Sequence, residues 1–260
     1  MSNIFRIVNV LALVTTIGIN YFSNTGFFNG QTIGSVSERF PTLLAPAPYA
    51  FSIWVLIYIG LAAFVIYHFR STPEAQDGLH KVGPWFLYSC LLNCCWVLAW
   101  IYGHIGWSVA IILLLLFSLL RIMFRTEMEL TDPQASTVVF LWWPFCLYLG
   151  WILLASVVNI AVWITQLPWA PFGLNADAWS SILLVGAAVA YLVLTWWRNM
   201  RETAPVGAWG LVAVGVADRK QAPDLAYLAW LLAVVLLVSA SIHAYKNRKY
   251  GPFRKRGETG

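Results

Sequence analysis

The chain has 260 residues, 60% of them hydrophobic and 10% charged, with a formal net charge of +5 and a mean hydropathy of +0.71. Soluble domains carry about a quarter charged residues, so this composition excludes one and describes a polytopic membrane protein whose spans need about 20 mostly apolar residues each. The basic residues gather at the ends of apolar runs; that pattern reports topology, and nucleic acid is set aside as a partner.

Taken in order, Ile4–Tyr21 is the first apolar run. Asn20–Gly30 offers no small-x-small cleavage site, so an uncleaved span is expected there. The long loop Phe22–Tyr49 carries Gly26, Gly30, Gly34, Pro41, Pro46 and Pro48, together with Phe22, Phe27, Phe28 and Phe40. A loop of this length is either a lid over a site or disordered; as a lid it would work through Phe27, Phe28 and Phe40. Ala50–Tyr67 predicts the second span, His68–Gly83 reads as a hydrophilic turn, and Pro84–Tyr102 predicts the third span. The Gly103–Gly106 turn is short enough to force an antiparallel neighbour, Trp107–Phe124.

Val138–Trp163 is longer than a bilayer requires and contains Pro144, so the helix is kinked there or its membrane part begins there. Trp179–Trp197 follows, with Gly186 and Ala190 spaced for close helix contact. Pro205–Val216 is apolar but short, and Leu225–Ala244 is a full span. Charge separates eight spans from seven. Eight put thirteen of the 16 basic residues on one side: Arg6, Arg70, Lys81, Arg121, Arg125, Arg198, Arg201 and the six of the tail from Lys246. Seven spans divide them almost evenly, so eight spans with both termini cytoplasmic are expected. The setting would be the bacterial cytoplasmic membrane or its equivalent, with a basic tail at residues 246–260.

Catalytic patterns are not visible. The acidic residues fall at loops, helix ends or the tail, which argues against proton-coupled transport. Cys90, Cys94, Cys95 and Cys146 lie in apolar segments without histidines beside them and read as small hydrophobes. His104 and His243 read as satisfied interfacial residues, and no metal is expected. Of the 15 tryptophans, Trp85, Trp107, Trp163, Trp169, Trp179, Trp196 and Trp197 sit where an interfacial belt would place them. Trp54, Trp96, Trp100 and Trp151 lie deeper, where an indole N–H needs a partner. Asn93, Trp96 and Trp100 share one helix face, and the Asn93 and Asn159 carboxamides cannot be left to lipid. Four deep indoles and two deep amides describe an aromatic cavity for a large, flat, mostly apolar ligand.

Three blocks carry a family resemblance: PYAFSIWVLIY (Pro48–Tyr58), LNCCWVLAWIYGHIGW (Leu92–Trp107) and YLGWILLASVVNIAVW (Tyr148–Trp163). In order and approximate spacing they resemble the tryptophan-rich sensory protein/translocator protein (TspO/MBR) family. The resemblance covers Ile4–Trp163 and implies an all-α, five-helix membrane bundle over residues 1–164. The spans after Trp163 lie outside the pattern and are expected to add a three-helix extension over residues 165–245. The first loop is longer than the family's, and the Pro144-to-Asn159 spacing is stretched, so Pro144 is not carried over.

The resemblance further implies a pocket for a tetrapyrrole such as porphyrin or haem, or a sterol-like or drug-like molecule. By motif position its residues would be Trp54, Tyr58, Asn93, Trp96, Trp151 and Asn159, with Trp100 added from the Asn93 face. The protein would then be a membrane sensor, carrier or regulator; an enzyme acting on a porphyrin or an isoprenoid is a further rival, which a perturbed titratable group inside the pocket would support. The rival reading is a structural or accessory subunit of a larger, pigment-bearing membrane complex, or a homodimer, docked through the additional spans.

Overall fold

The computed structural model describes residues 3–70, 72–130, 134–168 and 171–247. Trp169, and the tail beyond residue 247, lie outside the described residues. The described chain is all helical, with α1 (Asn3–Ser23), α2 (Ile33–Arg39), α3 (Ile53–Tyr67), α4 (Pro73–Val82) and α5 (Trp85–Ile101). It continues through α6 (Ile105–Arg125), α7 (Trp143–Thr165), α8 (Ala176–Arg198), α9 (Thr203–Asp218) and α10 (Pro223–Lys246). A 3₁₀ turn, Pro48–Ser52, leads into α3. A π-helical turn, Val138–Trp142, leads into α7.

Each of the eight apolar runs forms a helix. Six helical segments are long and apolar enough to cross a membrane, and α4 with α5, bent by 51°, counts as a seventh. The expected eighth span is the short helix α9, whose 16 residues reach about 24 Å against a hydrocarbon core of about 30 Å. Its ends therefore have to be met by protein or by a thinned bilayer.

Two helices correct the expected loops. The His68–Gly83 turn contains α4. Thr72 Oγ1 accepts from the Ala75 N–H at 3.4 Å, Pro73 opens the first turn, and Lys81 pairs with Asp77 at 2.9 Å. Those are ordinary helix-start and i,i+4 signals. The first loop is ordered and contains α2, where Thr32 and Ser35 form a capping box. Pro144 does not break its segment. The wider π turn before it takes up the missing N–H and the ring, and the Pro144 ring packs against Gly60, where an added Cβ would stand 3.3 Å away.

The helix ends sort into two sets. Arg125 Nε donates to the Lys81 carbonyl at 2.7 Å, Tyr67 OH to Ser136 Oγ at 3.2 Å, and Asn199 Nδ2 to the Glu129 carbonyl at 3.2 Å. His243 Nε2 meets Asn199 Oδ1 at 3.0 Å. These bonds gather the C-terminal ends of α3, α6, α8 and α10 with the N-terminal ends of α5, α7 and α9. Arg70, Lys81, Arg121, Arg125, Arg198, Arg201 and Lys246 therefore lie at one end of the bundle. Arg6 joins them, since its charge reaches His68 just past α3. At the opposite end Gln221, beside Arg219 and Lys220, faces Pro41 and Thr165 across a cavity.

One apolar core runs from Leu13 in α1 to Ala240 in α10. Helix α9 lies deepest among the last three, burying Val206, Leu211, Val214 and a run of small residues between them. An added Cβ at Gly207 would stand 2.5 Å from the Tyr191 ring, and at Gly210 or Gly215 it would collide with Leu154 or Trp230. The expected Gly186–Ala190 contact is not used. Gly186 has open space where a Cβ would go, and the close helix approaches run through the α9 glycines instead. The Tyr191 ring cannot retreat, because its OH donates to the Gly150 carbonyl at 2.6 Å. Gly207→Ala should lower the thermal midpoint in detergent by an amount corresponding to about 1–3 kcal/mol, while Gly186→Ala should leave it unchanged.

Candidate functional site

Helices α3, α5 and α7 and the 3₁₀ turn before α3 place the aromatic residues. Trp54 opens α3 and stacks on Tyr58 one turn later, with centroids 5.3 Å apart and planes at 21°. It meets Tyr148 edge-on at 5.9 Å and Trp151 at 6.5 Å, both from α7. Phe51, from the 3₁₀ turn, adds an edge contact to Trp151 at 5.9 Å. Across from them on α5, Trp96 and Trp100 stack at 5.9 Å and 22°.

Between these groups lies a cleft lined by Trp54, Trp96, Trp100, Trp151 and Asn159, with Phe51 at its margin. Ile33 and Ser37 of α2 and Pro46 close it from the loop side. The lid contacts expected of Phe27 and Phe28 are therefore made by other residues. Phe27 is 70% exposed and packs edge-on against Phe28, while Phe40 covers the Gly103 turn. Bonds that fasten the loop include Trp100 Nε1 to the Ile33 carbonyl at 3.2 Å, Asn29 Nδ2 to the Ile101 carbonyl at 3.0 Å, Tyr102 OH to the Phe28 carbonyl at 3.3 Å and the Ala47 N–H to the Ala213 carbonyl at 3.0 Å.

Asn93 and Tyr58 do not line the cleft. Asn93 is wholly buried; its Oδ1 accepts from Asn20 Nδ2 of α1 at 2.7 Å, and its Nδ2 donates to Tyr148 OH at 3.2 Å. That chain joins α1, α5 and α7 behind the indoles. Tyr58 stands behind Trp54, its hydroxyl enclosed and without a partner. Asn159 does reach the cleft, and its Oδ1 accepts from Ser108 Oγ of α6 at 2.8 Å. Asn20, Ser108 and Tyr148 were missed from the sequence. A polar residue near a helix end gave no reason to look for a partner some 50 to 70 positions away.

The cleft is narrow. Its internal volume is about 50 Å³, room for a few waters at about 10–15 Å³ each and far below the roughly 300–1,000 Å³ usual for a drug-sized ligand. A larger cavity of about 160 Å³ lies nearer the helix ends, between Pro41–Leu43, Ala161, Trp179 and Gln221. It lacks the stacked indoles. Trp96 lines the cleft, and its indole N–H is enclosed and has no acceptor. The cleft lining holds no carboxylate, histidine or cysteine. Its polar side chains are Ser37 and Asn159, beside the indole N–H groups.

A family model described as TSPO-like protein matches residues 6–242. The chain belongs to the TSPO-like family. The match continues through α8, α9 and α10, beyond the five-helix stretch to which the sequence resemblance was confined. No curated protein and no solved structure gives a significant match. With its long apolar helices, this TSPO-like chain is an integral membrane protein.

The Asn20–Asn93–Tyr148 chain yields a direct test. Asn93→Leu removes the central partner and leaves a buried hydroxyl and a buried amide short of one bond each. The thermal midpoint in nanodiscs should fall by the equivalent of about 1–3 kcal/mol. Leu91→Ala, at a residue 53% exposed on the outer face of the same helix, should move it much less.

Proposed function

We propose that this TSPO-like protein binds a flat, mostly apolar ligand of the tetrapyrrole class between Trp54, Trp96 and Trp151, as a membrane sensor, carrier or regulator. The observation that carries this reading is the convergence of Trp54, Trp96, Trp100 and Trp151 on one mostly apolar cleft, with the Trp96 N–H enclosed and unpartnered. The present volume requires the α2 segment to lift before a macrocycle enters. Its attachment by a few backbone-directed hydrogen bonds makes that motion inexpensive compared with parting two spans.

A free-base porphyrin fits the lining better than an axially ligated haem, because no histidine, cysteine or methionine faces the cleft to meet iron. Arg39, at the end of α2, is the basic residue of the lid and would meet the acidic edge of such a ligand. It rests over the Phe40 ring at 5.4 Å. The subunit or homodimer reading draws on one feature, the outward-facing Gly186, which leaves a place on α8 for a second helix.

Titrating porphyrin into the protein in nanodiscs should give saturable quenching of tryptophan fluorescence. Trp96→Phe, which keeps a ring and loses the N–H, and Trp151→Ala should each weaken binding about tenfold, or 1.4 kcal/mol. Absence of saturation in the parent, or unchanged affinity in both variants, would transfer the case to the subunit reading.

The basic end of the bundle is assigned to the cytoplasm on the positive-inside rule. Reporters fused after Gln76 and after Gly260 should then both read cytoplasmic. Opposite readings would remove α9 from the count of spans.

A further inference from the structure

Away from the cleft, at the basic end of the bundle, three side chains from separate segments converge. Glu129 comes from the turn after α6, Cys146 from the first turn of α7 and Glu202 from the turn before α9. Their ligating atoms all lie within 4.8 Å of one another. Cys146 is wholly buried, and its Sγ contacts the Met128 thioether at 3.6 Å, so it meets a soft and weak acceptor instead of a strong one. One oxygen of each carboxylate, Glu129 Oε1 and Glu202 Oε2, is enclosed and has no hydrogen-bond partner. The other Glu202 oxygen takes the Arg201 Nε at 3.2 Å.

This is an uncomfortable arrangement for the protein alone. As carboxylates both side chains only accept bonds, and like charges this close repel unless a proton or a cation lies between them. Buried polar atoms in native proteins are nearly always partnered, by an ion if not by a donor. Asn199 Nδ2 holds the Glu129 carbonyl at 3.2 Å and His243 holds Asn199, which fixes the backbone of the Glu129 turn. A small cation of charge +2 between the three groups would satisfy both orphaned oxygens and the sulfur together.

We infer that Glu129, Cys146 and Glu202 form a binding site for a divalent zinc-type ion. One thiolate with two carboxylates is a donor set that zinc accepts and that calcium or magnesium would not choose, because of the sulfur. Ideal bond lengths would bring sulfur and oxygen to about 3.6 Å of each other, so side-chain rotation alone closes the site. Three protein ligands leave a fourth position for water or the Met128 thioether. On loading, the Cys146 thiol proton and any carboxyl proton pass to solvent, and the metal keeps its oxidation state. The bound ion would tie the α6–α7 turn, α7 and the α8–α9 turn together, fixing α9 against the rest of the bundle.

The test uses the full chain in nanodiscs, stripped with a chelator and titrated with Co²⁺ as the spectroscopic stand-in. One equivalent per chain should raise a thiolate-to-cobalt charge-transfer band, and Zn²⁺ should displace it and raise the thermal midpoint. Cys146→Ala should abolish the band. Because Cys146 packs in the core, Glu202→Gln is the deciding variant; its residue lies in a turn, and it should weaken Co²⁺ at least tenfold. Lack of saturable binding overturns the site. So does a band that survives Cys146→Ala, which would come from the exposed Cys95, or parent-like affinity in Glu202→Gln. The cobalt band is read without porphyrin, so its failure and that of the cleft reading are separate results.

Discussion

The arrangement of the aromatic site depends on one hydrogen-bonded chain in an apolar interior, Asn20 to Asn93 to Tyr148. In hydrocarbon a carboxamide must find a protein partner or be excluded from the span. Here the partners lie on three different helices, so satisfying Asn93 fixes the rotation of α1, α5 and α7 at once. Tyr148 then presents its ring edge to Trp54, and Trp151, one turn further along α7, follows with it. On α5 the same rotation turns Trp96 and Trp100 toward the cleft. A polar contact that never touches the ligand space thus decides where the indoles point.

A second constraint acts on the other side of α7. Helix α9 is too short to cross a bilayer comfortably, yet its glycines let it approach α7, α8 and α10 more closely than any side chain would permit. It also receives the first loop, through the Ala47 bond to Ala213 and the Trp209 indole bond to the Ala50 carbonyl at 3.1 Å. The wall of the cleft formed by Pro46 and Phe51 is consequently held by α9, which gives the C-terminal helices a part in shaping a site that the sequence motifs confined to the first five spans.

Much of this was legible in the residues. Hydrophobic runs located all eight apolar helices to within a few positions, because a span must be continuous and its ends are marked by charge and tryptophan. Trp54, Trp96, Trp100, Trp151 and Asn159 do meet at one cleft. Asn93 and Tyr58 share those helix faces but stand behind the indoles, since side-chain spacing reports a face and not its depth. Helix α4 was hidden by its polarity, although Thr72, Pro73 and Gly83 mark both its ends. The convergence of Glu129, Cys146 and Glu202 could not be read at all. Their separation in the chain is bridged by tertiary contacts, the packing of α7 against α9 and the Asn199 bond to the turn after α6.

The cleft is closed, with an internal volume of about 50 Å³. On the proposed reading, a planar ligand would enter by displacing α2, not by filling space already present. A structure determined with bound porphyrin is the most direct measurement. The account predicts the macrocycle between Trp54, Trp96 and Trp151, with Ile33 and Ser37 moved off the opening and the Asn20–Asn93–Tyr148 chain intact. A macrocycle seated in the cavity beside Pro41 and Gln221, or on the lipid-facing surface with the cleft still closed, would contradict it.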